Sequence, residues 1–457
     1  MRLRFNEGWL AERPETLALF RVVVPSVVLT SPLTWSAWSA AQTPRALWVP
    51  PLGTAWALDV LPVGPAPVAV ALVLLTAGCV LGAVGLHTRV SLAVATVAAL
   101  YVLGLPQLSG SVVHDHHLVW FLALLAASPS GDVWSIDAAR ARRRYTPARS
   151  VAYGIPVWAA RVLVGIIFFF PGLWKLRASG WAWIASDNLQ HLLHRKWLEA
   201  GVLDPIRIDH VPGLLFALAL AAVVFELGFI LCLPFRRPRR LAVWAALGFH
   251  AFTAIFLEIH FSALWLCYVV FLEPAGLGWR WFGRVHLRRA RPLTRRAWLP
   301  AAAVAAVLVV GNGVMGTLGR TQAWPLACYP TFQDLATDRI LGLWIEVHRP
   351  GGAVVVLRRG DEGGSSRSWA RQWALIRGPR TPTRYAAFVA SDPALARAAA
   401  GAQHVVFAAV WHAVAPEARG GPPLASEPLL TLTWPTGASP QTDPEAPAVF
   451  HERPAAP

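Results

Sequence analysis

Nine apolar runs, most of them near the length of a bilayer-crossing helix, punctuate the first 320 residues of this chain. They fall near residues 17–35, 67–86, 91–109, 112–128, 156–174, 214–233, 241–260, 262–277 and 298–318. About 20 predominantly apolar residues carry a helix across the hydrocarbon core. The stretch from Leu241 to Leu272 exceeds one crossing and is interrupted by Glu258, His260 and Ser262, which predicts a tight helical hairpin. Of the 457 residues, 55% are hydrophobic and 14% charged, too apolar for a soluble protein. The fold class that follows is an all-α polytopic membrane bundle of nine spans, with a smaller appendage at its C-terminal end.

The net charge of +16 does not point to nucleic acid, because the arginines sit in short clusters between apolar runs, where they act as topology determinants. With the N-terminus in the cytoplasm, the inner segments up to residue 320 carry twenty basic residues and the outer loops six. Adding or removing one span would put arginine-rich loops on both sides. That orientation places everything after Arg320 outside the cytoplasm. The first span, preceded by a polar segment and lacking a small-residue cleavage site, reads as an uncleaved anchor. Cys79, Cys232 and Cys267 lie in apolar runs and only Cys328 in a polar one, so no disulfide framework is indicated.

The membrane domain is expected over residues 1–319. Beyond it, LWIEVHRPGGAVVVLRR alternates apolar and polar residues around a Pro-Gly-Gly turn, and HVVFAAVWHAV and LLTLTW read as further strands. Residues 367–377 and 382–400 favour helix. The expectation is a small α+β extracytoplasmic domain over 320–434, followed by a proline-rich disordered tail over 435–457. It contains no phosphate loop, metal-ligand pair or nucleophile with a neighbouring base.

Only two of the 41 basic residues are lysines, and Lys175 closes the apolar stretch IIFFFPGLWK. Lysine can lose its proton near hydrocarbon where arginine cannot, so Lys175 is a candidate base; from position alone the routine reading is an amine snorkelling into the headgroups. The topology puts His114, Asp115, His116, His117, Glu258 and His260 at the level of Lys175. Glu226 and His250 lie deeper, where polar groups usually face the bundle interior and mark a site or proton path. Lys175, with histidines to relay protons and a carboxylate to accept them, would suffice for proton abstraction.

Other readings compete for these residues. The His-Asp-His-His run suggests metal, yet adjacent ligands on a helix point in different directions and no matching set with zinc spacing appears elsewhere. Asp115 could meet the dipole of its helix, Glu226 could pair with Arg161 across the bundle, and Arg21 is expected at the interface. Between Trp181 and Trp197, Leu189, Leu192, Leu193 and Trp197 share one side, giving either an interfacial helix that roofs a cavity or an ordinary loop helix.

Five segments in order, LALFRVVV, HDHHLVWFLALLAASPSGDVWSIDA, RVLVGIIFFFPGLWKLRASGWAW, FELGFIL and GFHAFTAIFLEIHFSALWLCYVVFL, resemble the horizontally transferred transmembrane domain (HTTM) family over roughly residues 10–320. The best-known relative in that family is the vitamin K-dependent gamma-carboxylase. The resemblance implies a bacterial cytoplasmic membrane protein with a reduced, vitamin K-like quinone as cofactor. It also implies Lys175 as the base and His114 or His117 as its helper; Glu226, His250, Glu258 and His260, placed by the topology, complete this enzymatic reading as further polar groups of the cofactor site. Two departures stand out: Trp174 precedes Lys175 where the carboxylase has a lysine pair, and the C-terminal segment is much shorter. Besides this quinone-dependent lyase or oxygenase, two classes fit: a non-enzymatic scaffold or quinone-binding subunit presenting its outer domain to an envelope protein, and a transporter using Glu226 and His250. The lipid bilayer is a partner in all three.

Overall fold

In the computed structural model, the described residues are 10–50, 53, 57, 60–108, 114–141, 149–274, 295–327, 332–359, 366–419 and 421–433. The chain is mostly helical, with a small antiparallel sheet near its C-terminus. The expected tail over 435–457 and Cys328 lie outside the described residues.

Helix α1 (Pro14–Thr30) starts with proline at its first position, where the missing N–H costs nothing, and stops before Pro32. There Ser31 caps α2 (Pro32–Ala41) by accepting from the Leu33 N–H and donating to Asp115 at 2.6 Å, and the two helices meet at a 40° bend. Asp115 is thus a hydrogen-bond partner of Ser31 as well as a residue at a helix start. Helices α3 (Pro65–Val84) and α4 (Thr88–Val102) pack closely, because Gly78 leaves no side chain between them: a Cβ there would lie 2.9 Å from the Ala95 nitrogen. Asp137 accepts from the His87 and Thr88 amides and fixes the start of α4.

The centre of the bundle is α6 (Val151–Ser179), whose 29 residues span about 43 Å at 1.5 Å per residue. It packs against α8 (Pro212–Cys232) and α10 (Arg295–Thr317), while α5 (His117–Ala127), α7 (Asn188–Ala200) and α9 (Arg236–Phe256) complete the helical part. Val70, Val73, Trp244 and Val307 point outward and exposed, as lipid-facing side chains do.

Among the described residues, five helices are long and apolar enough to cross a membrane, or six if the bent pair α1–α2 counts as one span. Apolar content alone overstates the rest. The run at 112–128 forms only 11 helical residues in α5, about 16 Å, and that at 262–277 a ten-residue helical stretch over Ser262–Phe271, well short of the hydrocarbon thickness. The predicted hairpin break is present: α9 ends at Phe256 and Glu258 adopts φ 52°.

Two buried arginines depart from the sequence expectations. Arg21 is fully buried and donates to the carbonyls of Gly82, Ala83 and Trp134, so it serves the otherwise unpaired end of α3 instead of the membrane interface. Arg161 pairs with Glu12 at 2.6 Å, leaving Glu226 to another partner.

In the C-terminal region, β1 (Arg339–His348), β2 (Val354–Arg359), β3 (His404–Ala413) and β4 (Ala425–Thr433) form a sheet of order β2-β1-β3-β4. Gly351 and Gly352 take φ near 90° in the β1–β2 turn, a conformation few other residues tolerate. Helices α11 (Ser366–Arg377), α12 (Pro382–Ser391) and α13 (Pro393–Ala399) lie between β2 and β3 in sequence. Alternate strand residues Leu343, Ile345, Val347, Val405 and Phe407 form a core with Tyr385, Val389 and Leu395 from these helices.

Candidate functional site: a buried lysine–glutamate pair in an aromatic cavity

Burying an amine in a bundle requires a partner close by. Lys175 is only 4% exposed, and its Nζ makes a direct ion pair with Oε1 of Glu226, itself 3% exposed, on α8. The approach depends on Gly172, one turn before Lys175 on α6, where any side chain would press on Glu226. Lys175 Nζ also lies 4.8 Å from the centre of the Trp183 ring, in cation–π range. The other carboxylate oxygen, Glu226 Oε2, has no hydrogen-bond partner among the described residues.

These side chains border a cavity of about 400 Å³ between α6, α8 and α9. Its wall is largely aromatic. Phe225 and Phe249 stack with ring centres 5.3 Å apart, and Phe168 meets Phe225 edge-on at 4.9 Å. Two more polar residues on α9 line the cavity, Thr253 and His250; the His250 Nε2 lies 2.7 Å from Tyr268 Oη and its Nδ1 has no partner among the described residues. A few convergent polar atoms in an apolar pocket of this size are the usual makings of a small-molecule site.

Trp183 on the helical turn Ala182–Ala185, together with Leu189 and Leu192 of α7, closes the cavity. The apolar side expected for this segment is therefore turned toward the cavity, and Leu193 and Trp197 are buried with it. Phe332, in a turn ahead of the sheet, adds its ring to the cavity lining with its backbone at φ 58°. The Phe332 carbonyl accepts from Trp183 Nε1 at 2.7 Å, the Gln333 carbonyl from Ser179 at 2.8 Å, and the Ala336 N–H donates to Asn188 at 2.8 Å.

On the far side, α7 meets the sheet region. The Arg195 guanidinium covers the Trp373 ring at 4.8 Å, and Leu198 packs against Ile340 and Val414. Nearby, Arg207 donates to both Asp209 oxygens at 2.9 and 2.7 Å and to Glu417 at 2.9 Å, while His194 lies 2.8 Å from Asp209. Burial pushes the Asp209 carboxyl up, but hydrogen bonds from Arg207 and His194 outweigh it and hold it at about 2.

Of the residues singled out from sequence, Lys175, Glu226 and His250 line the same cavity, each from a different helix. His117 is buried with Nε2 3.1 Å from the Ala263 carbonyl and does not border the cavity; the side chain of His114 lies outside the described residues. His116 sits 3.0 Å from the Ala327 carbonyl. Glu258 and His260 are exposed, although their neighbours Leu257, Ile259 and Phe261 line the cavity. Tyr268, Trp183 and Phe332 carry no sequence signal beyond their aromatic character.

A bundle with apolar spans, an outward-facing apolar surface and a charged pair sealed into its interior defines an integral membrane protein. The HTTM domain model matches residues 12–275, more than half of the chain, and the chain belongs to the HTTM domain family. No curated protein and no solved structure matches it.

Proposed function

We propose that this membrane protein is an enzyme that takes a reduced quinone-type molecule into the Lys175–Glu226 cavity and uses Lys175 as the base for oxygen-dependent proton abstraction or carboxylation. The observation that carries the reading is the ion pair itself: a charged pair in an apolar core is costly, yet this one faces a cavity instead of tying helices together out of reach. The chain's residues fit such a ligand on two counts. Flat aromatic walls from Phe168, Phe225 and Phe249 suit a ring, and Glu226 Oε2 and His250 Nδ1 are buried polar atoms lacking partners among the described residues.

A bound reduced quinone would supply two electrons and its hydroxyl protons for reaction with molecular oxygen. The protein's part is proton handling. Moving a proton across the Lys175–Glu226 hydrogen bond leaves a free amine and a neutral carboxyl. The amine then accepts a proton from the cavity and becomes an ammonium that stabilises the negative charge left behind. Trp183, Leu189 and Leu192 exclude water, which strengthens that electrostatic contribution. In this reading the chain keeps its N-terminus in the cytoplasm of a bacterial cell and presents the sheet region outside the inner membrane.

Lys175→Arg tests the assignment, because arginine preserves the ion pair but cannot give up its proton. Oxygen uptake dependent on a reduced naphthoquinone, measured with protein in lipid nanodiscs, is expected to fall at least a hundredfold while membrane insertion is unchanged. Uptake at the wild-type rate would remove Lys175 as base. Uptake absent from the wild type as well would leave a scaffold that binds partners through residues 320–434.

A further inference from the structure

Helix α9 begins close to where a membrane span ends. Soon after α8 closes at Cys232, the α9 sequence RRPRRLAVW brings in Arg236, Arg237, Arg239 and Arg240 and then runs apolar from Leu241 to Phe256. Because α8 is long and apolar enough to cross the hydrocarbon, this arginine group lies at the level where lipid headgroups begin.

Two of the four arginines are engaged by the protein itself. Arg239 is buried, donates to the Leu233 carbonyl at 3.1 Å and lies 5.3 Å from the centre of the Trp158 ring. Arg236 pairs with Glu273 at 3.1 Å. Arg161 of α6 lies over the same Trp158 ring at 5.1 Å and holds Glu12 at 2.6 Å, so the carboxylates that meet this group already have partners. Arg237 and Arg240 are exposed and make no ion pair among the described residues.

Their placement concentrates positive charge. Four guanidinium groups crowd the start of a helix, where the macrodipole is itself positive and where Phe235 supplies no capping side chain. An anion on this surface relieves both repulsions. Arg237, Arg240, Leu241 and Trp244 fall at i, i+3, i+4 and i+7, so they share one face. Leu241 is 70% and Trp244 72% exposed, and Trp244 lies about 6 Å beyond Arg240 along the axis at 1.5 Å per residue. Guanidinium groups at headgroup depth, followed one turn deeper by an exposed tryptophan, match a phosphate joined to a glycerol ester and acyl chains, since tryptophan favours that depth. A free anion in water would leave the apolar half of the face unused.

We propose that this face of α9 is a docking site for an anionic phospholipid, whose phosphate accepts from Arg237 and Arg240 while its glycerol and acyl chains lie along Trp244 and Leu241. The ammonium of a zwitterionic lipid would be drawn into the same crowd of positive charge, so phosphatidylglycerol is preferred over phosphatidylcholine. Arg161, beside the group, lies about 21 Å from Lys175 along α6 at 1.5 Å per residue, and lipid capture here does not depend on what occupies the cavity.

In the test, the full chain in mild detergent is titrated with phosphatidylglycerol and with phosphatidylcholine of the same acyl chains, and bound lipid is counted by native mass spectrometry. The wild type is expected to hold phosphatidylglycerol about thirtyfold more tightly, at about fivefold for each surface arginine. Arg237→Gln combined with Arg240→Gln should bring the two affinities together. Trp244→Ala should weaken both lipids and leave their ratio unchanged. Arg89→Gln combined with Arg140→Gln removes the same charge from two other exposed arginines and should keep the wild-type ratio.

Equal affinity of the wild type for the two lipids overturns the proposal. So does a ratio that falls as far in the Arg89 and Arg140 variant as in the Arg237 and Arg240 variant, because the preference would then report the field of the whole bundle. Should the Arg237 and Arg240 variant fail to fold, each single substitution gives the same reading, with a loss of about fivefold expected. Inorganic phosphate added to the protein in phosphatidylcholine nanodiscs is expected to leave thermal unfolding unchanged; a stabilisation that the Arg237 and Arg240 variant abolishes would place a soluble anion here and overturn the lipid assignment.

Discussion

Gly172 lies directly against Glu226: a Cβ built at residue 172 would sit 2.9 Å from the Glu226 Cβ and 3.3 Å from Oε2. The nearer atom, the Glu226 Cβ, is fixed by the α8 backbone, so relief requires the helices to part. Gly172→Ala is therefore expected to loosen the Lys175–Glu226 contact in spite of alanine's better helix propensity, worth about 0.5–1 kcal/mol. Thermal unfolding in detergent should show a net loss of stability, and Gly172→Leu a larger one.

Removing one member of the buried pair leaves an uncompensated charge, whereas removing both does not. Lys175→Met or Glu226→Leu alone should cost about 3–5 kcal/mol, and the double substitution much less than the sum. A double-mutant cycle from reversible unfolding in mixed micelles checks this. Additive losses would show that the two side chains do not interact energetically.

Ala222 is a small residue on the α8 wall of the cavity. Ala222→Phe is expected to occupy ligand volume and weaken binding of a naphthoquinone probe by more than tenfold, with thermal stability unchanged within a few degrees. Filling an apolar cavity does not of itself destabilise when the new side chain fits. Isothermal titration in nanodiscs reads the first quantity and differential scanning fluorimetry the second.

Asp209 gives the contact between the helical part and the sheet region a pH dependence. Its carboxyl ionises at about 2 in the folded chain, below the ordinary value of 3.8. A depressed carboxyl contributes stability above its unfolded value and loses that contribution as pH falls toward its folded one. Proteolytic susceptibility of the 195–215 segment should therefore rise between pH 4 and pH 2. Asp209→Asn should show raised susceptibility already at neutral pH and a flatter profile. Glu417, whose carboxyl the Arg207 hydrogen bond also lowers, titrates in the same direction.

Much of the architecture was legible in the chain. The period-two pattern and the Pro-Gly-Gly turn locate β1 and β2, since alternation and a glycine-dependent turn are local signals. Lys175 stands out because the composition nearly lacks lysine, and Glu226 and His250 because polar groups at depth need a reason. Which carboxylate meets which base was not legible. Arg161 and Lys175 are both on α6, and the choice depends on where α8 and the N-terminal Glu12 approach it. Gly172 is the one local hint, as a gap one turn from the lysine. Short α5 was hidden for a different reason: hydropathy counts apolar residues but does not register where hydrogen-bonded helix begins or stops. Phe332 could not be anticipated at all, because a phenylalanine at φ 58° is held by the carbonyl contacts around it.

Those contacts also bear on how a guest reaches the interior. The ceiling formed by Trp183 and α7 is fastened to residues 332–336 through Trp183, Asn188 and His191, so lifting it would break three hydrogen bonds together. Among the described residues, the flanks between α8 and α9 near Phe225 and Phe249 are held by side-chain packing. Parting two aromatic rings is the easier opening, and under the proposed function it gives an oily molecule dissolved in the membrane the shorter road in.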